Sequence, residues 1–391
     1  MNIGIIGCGL RARVMLKSLF ECERDLKLTA IADKDIPRVK EELGSFKQNL
    51  KQDFKVEDIM FYENIDEMLE KEKLDGVIIG TRCSTHTDLA IKVMKKQLPL
   101  FLEKPVGINI EQLRRLSEAA KDYKSQAVVS FPLRVSPMIE LAKEIVVAGT
   151  LGSIEQVQAV NNVPYGGVYY HSWYRDDSLT GGLFLQKATH DIDYINYLLE
   201  DKTPISIYAT ASKQVFKGNK PAGLSCDQCN ELYTCEESPY ILKHKKYEWP
   251  EENAKCRFAV DTGNQDSGTI ITHYDTGMHT VYTQNFIARK AAAKRGATLI
   301  GYKGTLEFDW YTNVLKVYHH NIPRVETHTF DTGQMNHFGG DKILAMNFID
   351  VITNGVLSKA PLEAGIKSAL MCLMAQESAT TQKVKNNILI L

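Results

Sequence analysis

The chain begins Met1-Asn2-Ile3-Gly4-Ile5-Ile6-Gly7-Cys8-Gly9-Leu10-Arg11-Ala12, and one helical stretch later reads Lys27-Leu28-Thr29-Ala30-Ile31-Ala32-Asp33. Asn2–Ile6 is an apolar strand pattern that ends in Gly7-x-Gly9-x-x-Ala12. Ala12, Leu16, Leu19 and Phe20 then recur at helical spacing, and Lys27–Ala32 is a second strand ending at Asp33. Each residue in this order has a physical task. Gly7 permits a tight turn, and Gly9 lets the backbone approach a pyrophosphate. Leu10 opens the helix whose N-terminus faces the phosphates, and Ala12 lets that helix pack closely on the strand. Asp33 stands where a carboxylate accepts hydrogen bonds from an adenosine ribose. It would repel a 2′-phosphate, so NAD is expected over NADP, a preference that Lys34 softens. A structural strand–helix turn would explain the glycines alone; strand, turn, helix, strand and acid in succession argue for a dinucleotide.

The alternation continues outward. Ile65–Glu72 is a helix, Gly76–Gly80 a strand, Thr85–Gln97 a helix, and Leu100–Leu102 a strand leading into Glu103-Lys104-Pro105. A helix capped by Asn109 runs to about Tyr123, and Ala127–Phe131 is a further strand. Strands separated by helices imply parallel pairing, hence a doubly wound sheet over residues 1–125. Residues 126–391 have another texture. Ile154–Asn161, Ile205–Ala211, Gly268–Asp275, Met278–Asn285, Ala297–Ile300, Thr305–Asp309, Val314–His319 and Val325–Phe330 read as strands. Their short turns mean an open, mainly antiparallel sheet. Helices at Ser136–Ala148, His190–Leu199 and from Asp341 onward would cover it. The expected class is α/β: a Rossmann domain followed by an α+β domain.

Composition narrows the function. The 391 residues are 44 % hydrophobic and 24 % charged, enough apolar material for two domains and not a disordered or fibrous chain. A formal net charge of −1 without a basic run argues against nucleic acid or an anionic membrane as partner. No apolar stretch reaches the ~18 residues of a membrane helix. The N-terminus enters a strand directly, without a charged leader, and the eight cysteines read as reduced thiols. The expected compartment is the cytoplasm.

Glu103-Lys104-Pro105 lies at the carboxyl end of a parallel strand, the edge where such sheets bind ligands. A lysine there can donate to a substrate hydroxyl or, with a lowered pKa, act as a base. The tripeptide alone would equally suit a surface lysine before a turn. Taken together, the glycine turn, Asp33, Thr81…His86, Glu103-Lys104-Pro105 and Arg134-Val135-Ser136-Pro137 resemble the Gfo/Idh/MocA oxidoreductase family. So does the helix after Pro137 that ends at Gly149-Thr150-Leu151-Gly152. The resemblance implies hydride transfer between nicotinamide and a sugar, polyol or related carbonyl compound. It also implies a second domain whose open sheet makes oligomer contacts, so a homodimer or homotetramer is expected. Thr81, His86, Glu103 and Lys104 become cofactor-side residues, Arg134 a substrate ligand, and the Lys104–Pro105 bond a candidate cis peptide.

Gly181-Gly182 precedes Gln186-Lys187-Ala188-Thr189-His190-Asp191-Ile192-Asp193. On a helical projection Ile192, Ile195, Leu198 and Leu199 share one side, and Gln186, Lys187, His190 and Asp193 the other. An ordinary amphipathic helix with a wet face has the same pattern. The resemblance makes His190 a substrate ligand and proton-transfer group. Many relatives carry Asp where this chain has Gln186, which cannot take a proton. Lys187, one turn from His190, is a replacement. If Lys104 and Lys187 faced one pocket, each would depress the other's pKa, and either lysine could accept the proton.

Cys226-x2-Cys229-x5-Cys235, with Cys256 beyond, lies in a polar insertion at about 213–257. Four thiolates suit tetrahedral zinc, with His244 a substitute ligand; reduced, partly buried thiols are the alternative. Trp173, Tyr174 and Tyr169 offer aromatic faces for a sugar ring or for ordinary packing, and His171 and Arg175 share their loop. The reaction expected is NAD-dependent dehydrogenation of a secondary alcohol. Two other readings remain: redox-neutral glycoside cleavage through transient oxidation by bound NAD, and non-catalytic dinucleotide sensing.

Overall fold

The computed structural model describes residues 1–23, 25–47, 54–245, 254–332 and 336–388. The chain divides into two compact units, residues 1–140 with 332–370, and residues 141–331 with 371–390.

In the first unit six strands form a parallel sheet: β1 (Asn2–Ile6), β2 (Lys27–Ala32), β3 (Met60–Tyr62), β4 (Gly76–Ile79), β5 (Leu100–Leu102) and β6 (Ala127–Val129). Their order is β3-β2-β1-β4-β5-β6, so the winding reverses between β1 and β4, the topological switch point where such sheets take ligands. β4, β5 and β6 are buried at every position, as strands covered on both faces must be. Helices α1 (Leu10–Cys22), α2 (Ile36–Lys47), α3 (Ile65–Lys71), α4 (His86–Lys95) and α5 (Ile110–Ala120) make the connections. Asn109 caps α5 as expected: its side chain accepts from the Gln112 N–H at 2.9 Å, a contact worth about 1 kcal/mol. The sequence reading contained neither α2 nor β3. The latter is a three-residue edge strand, below the length at which periodicity speaks.

Residues 332–370 return to this unit, which the boundary expected near residue 125 did not foresee. Phe348 and Ile352 cover β4 at Gly76, where a Cβ would lie 3.1 Å from Phe348 Cζ and 2.6 Å from Ile352 Cδ1. Phe348 also meets Phe101 edge-on at 5.7 Å, and the Val129 N–H donates to the Ala360 carbonyl at 2.8 Å. The chain leaves the first unit within α6 (Pro137–Val147).

The second unit carries a nine-stranded sheet of β7 (Ile154–Asn162), β8 (Pro204–Ser212), β9 (Ser267–Tyr274), β10 (His279–Asn285), β11 (Lys294–Gly301), β12 (Gly304–Asp309), β13 (Val314–His319), β14 (Val325–Thr329) and β15 (Lys385–Asn386). The order is β14-β13-β12-β11-β7-β10-β9-β8-β15, antiparallel except for the parallel pair β7–β10. Burial alternates strictly along β10 and β12, the mark of a sheet with one packed face. Short helices α7 (Val168–His171) and α8 (Asp177–Thr180) precede α9 (Thr189–Leu198). After them come α10 (Pro239–Lys245), α11 (Gly340–Asn354), which carries Phe348 and Ile352 in the first unit, and α12 (Leu362–Thr381), within which the chain re-enters the second unit. Val163, Tyr170, Leu183, Phe216 and Phe286 form a fully buried cluster that ties the start of the 213–257 insertion to the loops around α7.

Candidate functional site

At the switch point the glycine turn is fixed from both sides. Gly7 has φ +77°, and a Cβ there would meet the Thr81 backbone at 2.9 Å, so only glycine fits. At Gly9 a Cβ would lie 3.1 Å from the Gly80 carbonyl oxygen, and Ala12 Cβ already stands 2.7 Å from the Cβ position of Gly80. Gly9 caps α1 and has no side chain to occupy the first-turn N–H groups, which leaves that end to an anion. Asp33 is tied directly to the turn. Its Oδ2 accepts from the Cys8 N–H at 2.9 Å and its Oδ1 from the Asp35 N–H at 3.0 Å, while Arg38 stands 3.3 Å away. Arg38, absent from the sequence reading, puts a guanidinium beside Asp33. A free-standing glycine turn, a helix end without side-chain caps and a held carboxylate are what a dinucleotide pyrophosphate and ribose require.

The next layer of the first unit is a polar frame. His86 is 1 % exposed, with Nδ1 2.8 Å from the Pro105 carbonyl oxygen and Nε2 3.1 Å from that of Thr81. Burial pushes its pKa down, against the pull of both carbonyls. It joins the Thr81 loop to the loop after β5 through its two ring nitrogens. Thr81 Oγ1 in turn meets Thr85 Oγ1 at 2.8 Å. The Lys104–Pro105 peptide is cis, as the resemblance implied. Glu103 is buried and lies 3.4 Å from Arg11 Nε; the same guanidinium reaches Asp341 Oδ1 at 3.0 Å, and His337 Nδ1 meets Asp341 Oδ2 at 2.9 Å. Burial would raise the Asp341 carboxyl, but His337 and Arg11 outweigh it and hold the group below the usual carboxylate range. Arg11 lies inside the quoted glycine turn, so a charge next to Glu103 was visible; its partner 330 residues away was not. Arg134, the other site residue of this unit, is 8 % exposed.

In the second unit the paired glycines Gly181 and Gly182 both take positive φ, and a π-helical turn, Phe184–Ala188, leads into α9. Such turns rotate side chains out of helical register and recur at functional sites. The polar side is not a solvated face: Gln186, Lys187, His190 and Asp193 are all at most 8 % exposed. Gln186 spends its amide on the Thr180 carbonyl at 2.6 Å, closing the glycine-bearing loop. Lys187 Nζ donates to the Tyr165 hydroxyl and stands 4.5 Å from that ring's centroid. Burial lowers the lysine pKa, and Lys187 and Arg295 overcome burial to lower that of Tyr165.

Beside His190, Asp191 gathers three strands. It accepts from Asn161 Nδ2 on β7 at 2.7 Å, Arg295 Nε on β11 at 2.8 Å, and the Tyr282 hydroxyl on β10 at 2.9 Å. Asn161 and Arg295 are direct register partners, so the sheet itself presents them side by side. A fully buried carboxylate is tolerated only with such pairing. Tyr165, Asn161, Tyr282 and Arg295 were missed in the sequence because nothing local announces them.

The loop around α7 is tied down by its polar and aromatic side chains. His171 Nδ1 meets the Lys255 carbonyl at 2.6 Å and its Nε2 accepts from Arg257 Nε at 2.8 Å; burial and Arg257 push its pKa down to about 3. Arg175 Nη2 donates to Asp261 and Thr262, each at 2.8 Å. Both side chains fasten the segment from Lys255 to Thr262 to the α7 loop. Tyr169 packs edge-on against Phe286 and Tyr174, and Trp173 stacks on Tyr174 at 4.0 Å.

The zinc expectation is corrected. Among the described residues no group of three or more His, Cys, Asp or Glu side chains is placed to hold a metal ion. Cys226, Cys229, Cys235 and Cys256 are free thiols. Cys226 Sγ lies 3.8 Å from the Lys255 carbonyl, and Cys229 Sγ 3.9 Å from Asn230 Oδ1. Burial, with the neighbouring Cys256 and Cys235, pushes the Cys226 thiol up to about 12, and burial raises Cys235 and Cys256. The His244 side chain lies outside the described residues.

The sheet, glycine turn and held Asp33 define an α/β dinucleotide-binding protein. Residues 1–131 match the family described as "Oxidoreductase family, NAD-binding Rossmann fold", and residues 139–307 the "GFO/IDH/MocA C-terminal domain". The chain belongs to the Gfo/Idh/MocA oxidoreductase family. It is 24 % identical over 219 residues to the rhizopine catabolism protein MocA of Rhizobium meliloti, covering 56 % of this chain and 62 % of that protein. It is 31 % identical over 141 residues to scyllo-inositol 2-dehydrogenase (NAD(+)) of Bacillus subtilis, covering 34 % of this chain and 37 % of the relative. The sequence matches thus span less than two thirds of these relatives' length. In fold, the chain superposes on a levoglucosan dehydrogenase solved with NADH and levoglucosan, with a TM-score of 0.76, 16 % identity and 99 % coverage of both chains. No helix among the described residues is long and apolar enough to cross a membrane.

Proposed function

We propose that the protein is an NAD-dependent dehydrogenase or reductase acting on a secondary alcohol or carbonyl of a sugar or polyol. The observation that carries this reading is the held Asp33 beneath a side-chain-free glycine turn, on the same parallel sheet whose β5 ends in Glu103-Lys104-Pro105. The family, the inositol dehydrogenase relative and the levoglucosan dehydrogenase fold supply the substrate class.

In this reading residues 1–125 are the NAD-binding domain. Gly7, Gly9, Leu10 and Ala12 form the phosphate turn, Asp33 takes the ribose, and Thr81, His86 and Glu103 shape the nicotinamide end. Bound NAD supplies the hydride acceptor. Lys104 donates to the substrate hydroxyl, and Arg134, Trp173, Gln186 and His190 form the substrate side. The hydroxyl proton goes to one of Lys104, His190 and Lys187. The second domain also provides oligomer contacts through its open sheet, giving a homodimer or homotetramer, and the protein works in the cytoplasm, consistent with eight unbridged cysteines.

The test is NADH absorbance of stoichiometric enzyme and NAD with a panel of polyols, aldoses and glycosides. Growth over repeated turnovers supports the dehydrogenase. A signal capped at one enzyme equivalent with sugar released would instead mean transient oxidation, and NAD binding without any NADH across the panel would overturn the substrate class.

A further inference from the structure

Lys187 is 4 % exposed, yet its hydrogen-bond partner Tyr165 is 42 % exposed: a buried ammonium group faces outward onto a phenol whose ring is open to solvent. The geometry is built rather than incidental. Tyr165 lies in the turn after β7, and the next residue, Gly166, is pressed so closely on β10 that a Cβ would fall 2.4 Å from the Phe286 carbonyl oxygen. The turn closes on itself through Gly166 N–H to Val163 O at 3.2 Å and Tyr169 N–H to Gly166 O at 3.2 Å. From below, the π-helical turn aims Lys187 at the hydroxyl. The charged and titratable groups facing this pair are Arg295 from β11, Asp191 from α9, Tyr169 and Tyr174 from the α7 loop, and Tyr311 after β12. Arg295 is paired with Asp191 at 2.8 Å, and Lys187 is the cation in direct hydrogen-bond contact with the phenol.

We propose that Tyr165 is a further catalytic residue, whose phenol oxygen exchanges the substrate hydroxyl proton, with Lys187 as the positioning cation beneath it. The inference rests on the dehydrogenase reading above and deepens it by placing the proton on Tyr165 in place of Lys104, His190 or Lys187. In the oxidation direction the alcohol O–H bond breaks and its proton joins the Tyr165 phenolate oxygen. The carbinol C–H bond breaks with both its electrons, which leave as hydride to the nicotinamide, and the carbonyl π bond forms. One hydride and one proton leave the alcohol. In reduction the phenol returns the proton. Lys187 is then not itself the base that the sequence offered; its charge favours the phenolate.

The pair can be read without substrate or cofactor. Tyrosinate absorbance of the intact protein is titrated for wild type, Tyr165→Phe and Lys187→Met. The expected result is one tyrosine ionising below the ordinary value of about 10 in wild type, lost in Tyr165→Phe and moved upward in Lys187→Met. Tyr165→Phe should also lower kcat by roughly 10²–10⁴-fold, remove the acid limb of the kcat/KM profile and leave NADH binding unchanged. Absence of the early ionisation, or its persistence in Tyr165→Phe, overturns the pair. An early ionisation with unaltered Tyr165→Phe kinetics overturns the catalytic role alone. An early ionisation in a wild-type protein that forms no NADH from any polyol overturns the dehydrogenase reading, and the proton-transfer role falls with it.

Discussion

The glycine turn of the first unit and the His190 helix of the second hold their polar groups by opposite means. In the turn, what matters is absence: Gly7 and Gly9 clear space, and Asp33 is held mainly by the backbone N–H groups of Cys8 and Asp35. Around α9, what matters is convergence: Asp191 draws one side chain from each of β7, β10 and β11, and Lys187 reaches Tyr165 22 residues upstream. Backbone-built sites are robust to their neighbours and readable from short motifs. Side-chain-built sites fail as a unit and must be read from the folded sheet.

Four changes probe this contrast. The largest effect is expected for Lys104→Ala, which should reduce turnover by roughly 10²–10⁴-fold while an NADH titration stays nearly unchanged. Equal loss of both would show that Lys104 serves the cofactor rather than the reaction. Next, Asp191→Ala leaves Arg295 buried without its carboxylate and should cost about 3–5 kcal/mol in denaturant unfolding of the second unit. NAD affinity in undenatured protein should survive, and a loss below ~1 kcal/mol would mean water reaches Arg295.

Smaller again is Asp33→Ser. Removing a charge-assisted acceptor should weaken NAD by about 10–100-fold and improve NADP, since Arg38 is freed for the 2′-phosphate. The double change Asp33→Ser with Arg38→Ala should lose the NADP gain, and an unchanged cofactor ratio in the single variant would remove Asp33 from the ribose.

The smallest is a pH slope. His171 has a folded-state pKa of about 3, below the unfolded value of ~6.5, so folding favours its neutral form. The stability it contributes is complete above pH ~6.5 and is lost as pH falls toward 3, at up to about 1.4 kcal/mol per pH unit. His171→Gln should flatten acid unfolding of the second unit over that window; an unchanged slope would mean another group carries it.

What could be read from the sequence follows the same division. The order strand, Gly7-x-Gly9-x-x-Ala12, helix, strand, Asp33 was legible because each residue acts on a neighbour within one turn. The β9–β10 hairpin and the α5 cap at Asn109 were legible for the same reason. The wet face that an ordinary amphipathic helix would give Gln186, Lys187, His190 and Asp193 is absent, because helical periodicity reports which side is apolar, not whether the other side is covered. Here Thr180 and Tyr165 take up Gln186 and Lys187. The roles of His171 and Arg175 could not be read from their loop because Arg257 and Asp261, 86 residues beyond each, claim them. The cysteine spacing fitted a metal motif, but spacing constrains only where thiols can go, and among the described residues no group of three or more ligands is placed to hold an ion.

Gly76, beneath Phe348 and Ile352, bears on how the protein is made. The first unit acquires that cover, the Arg11–Asp341 ion pair and the Ala360 contact of β6 from a segment separated from it by the whole of 141–331. On the ribosome the parallel sheet therefore emerges long before the helix that seals β4, and must wait through the synthesis of a second set of strands with one apolar flank unsealed. Contacts closed across so long an interval make for slow maturation and an exposure to chaperones during synthesis. They also mean that a fragment cut after residue 140 would carry the nucleotide motif without the lid of its own sheet.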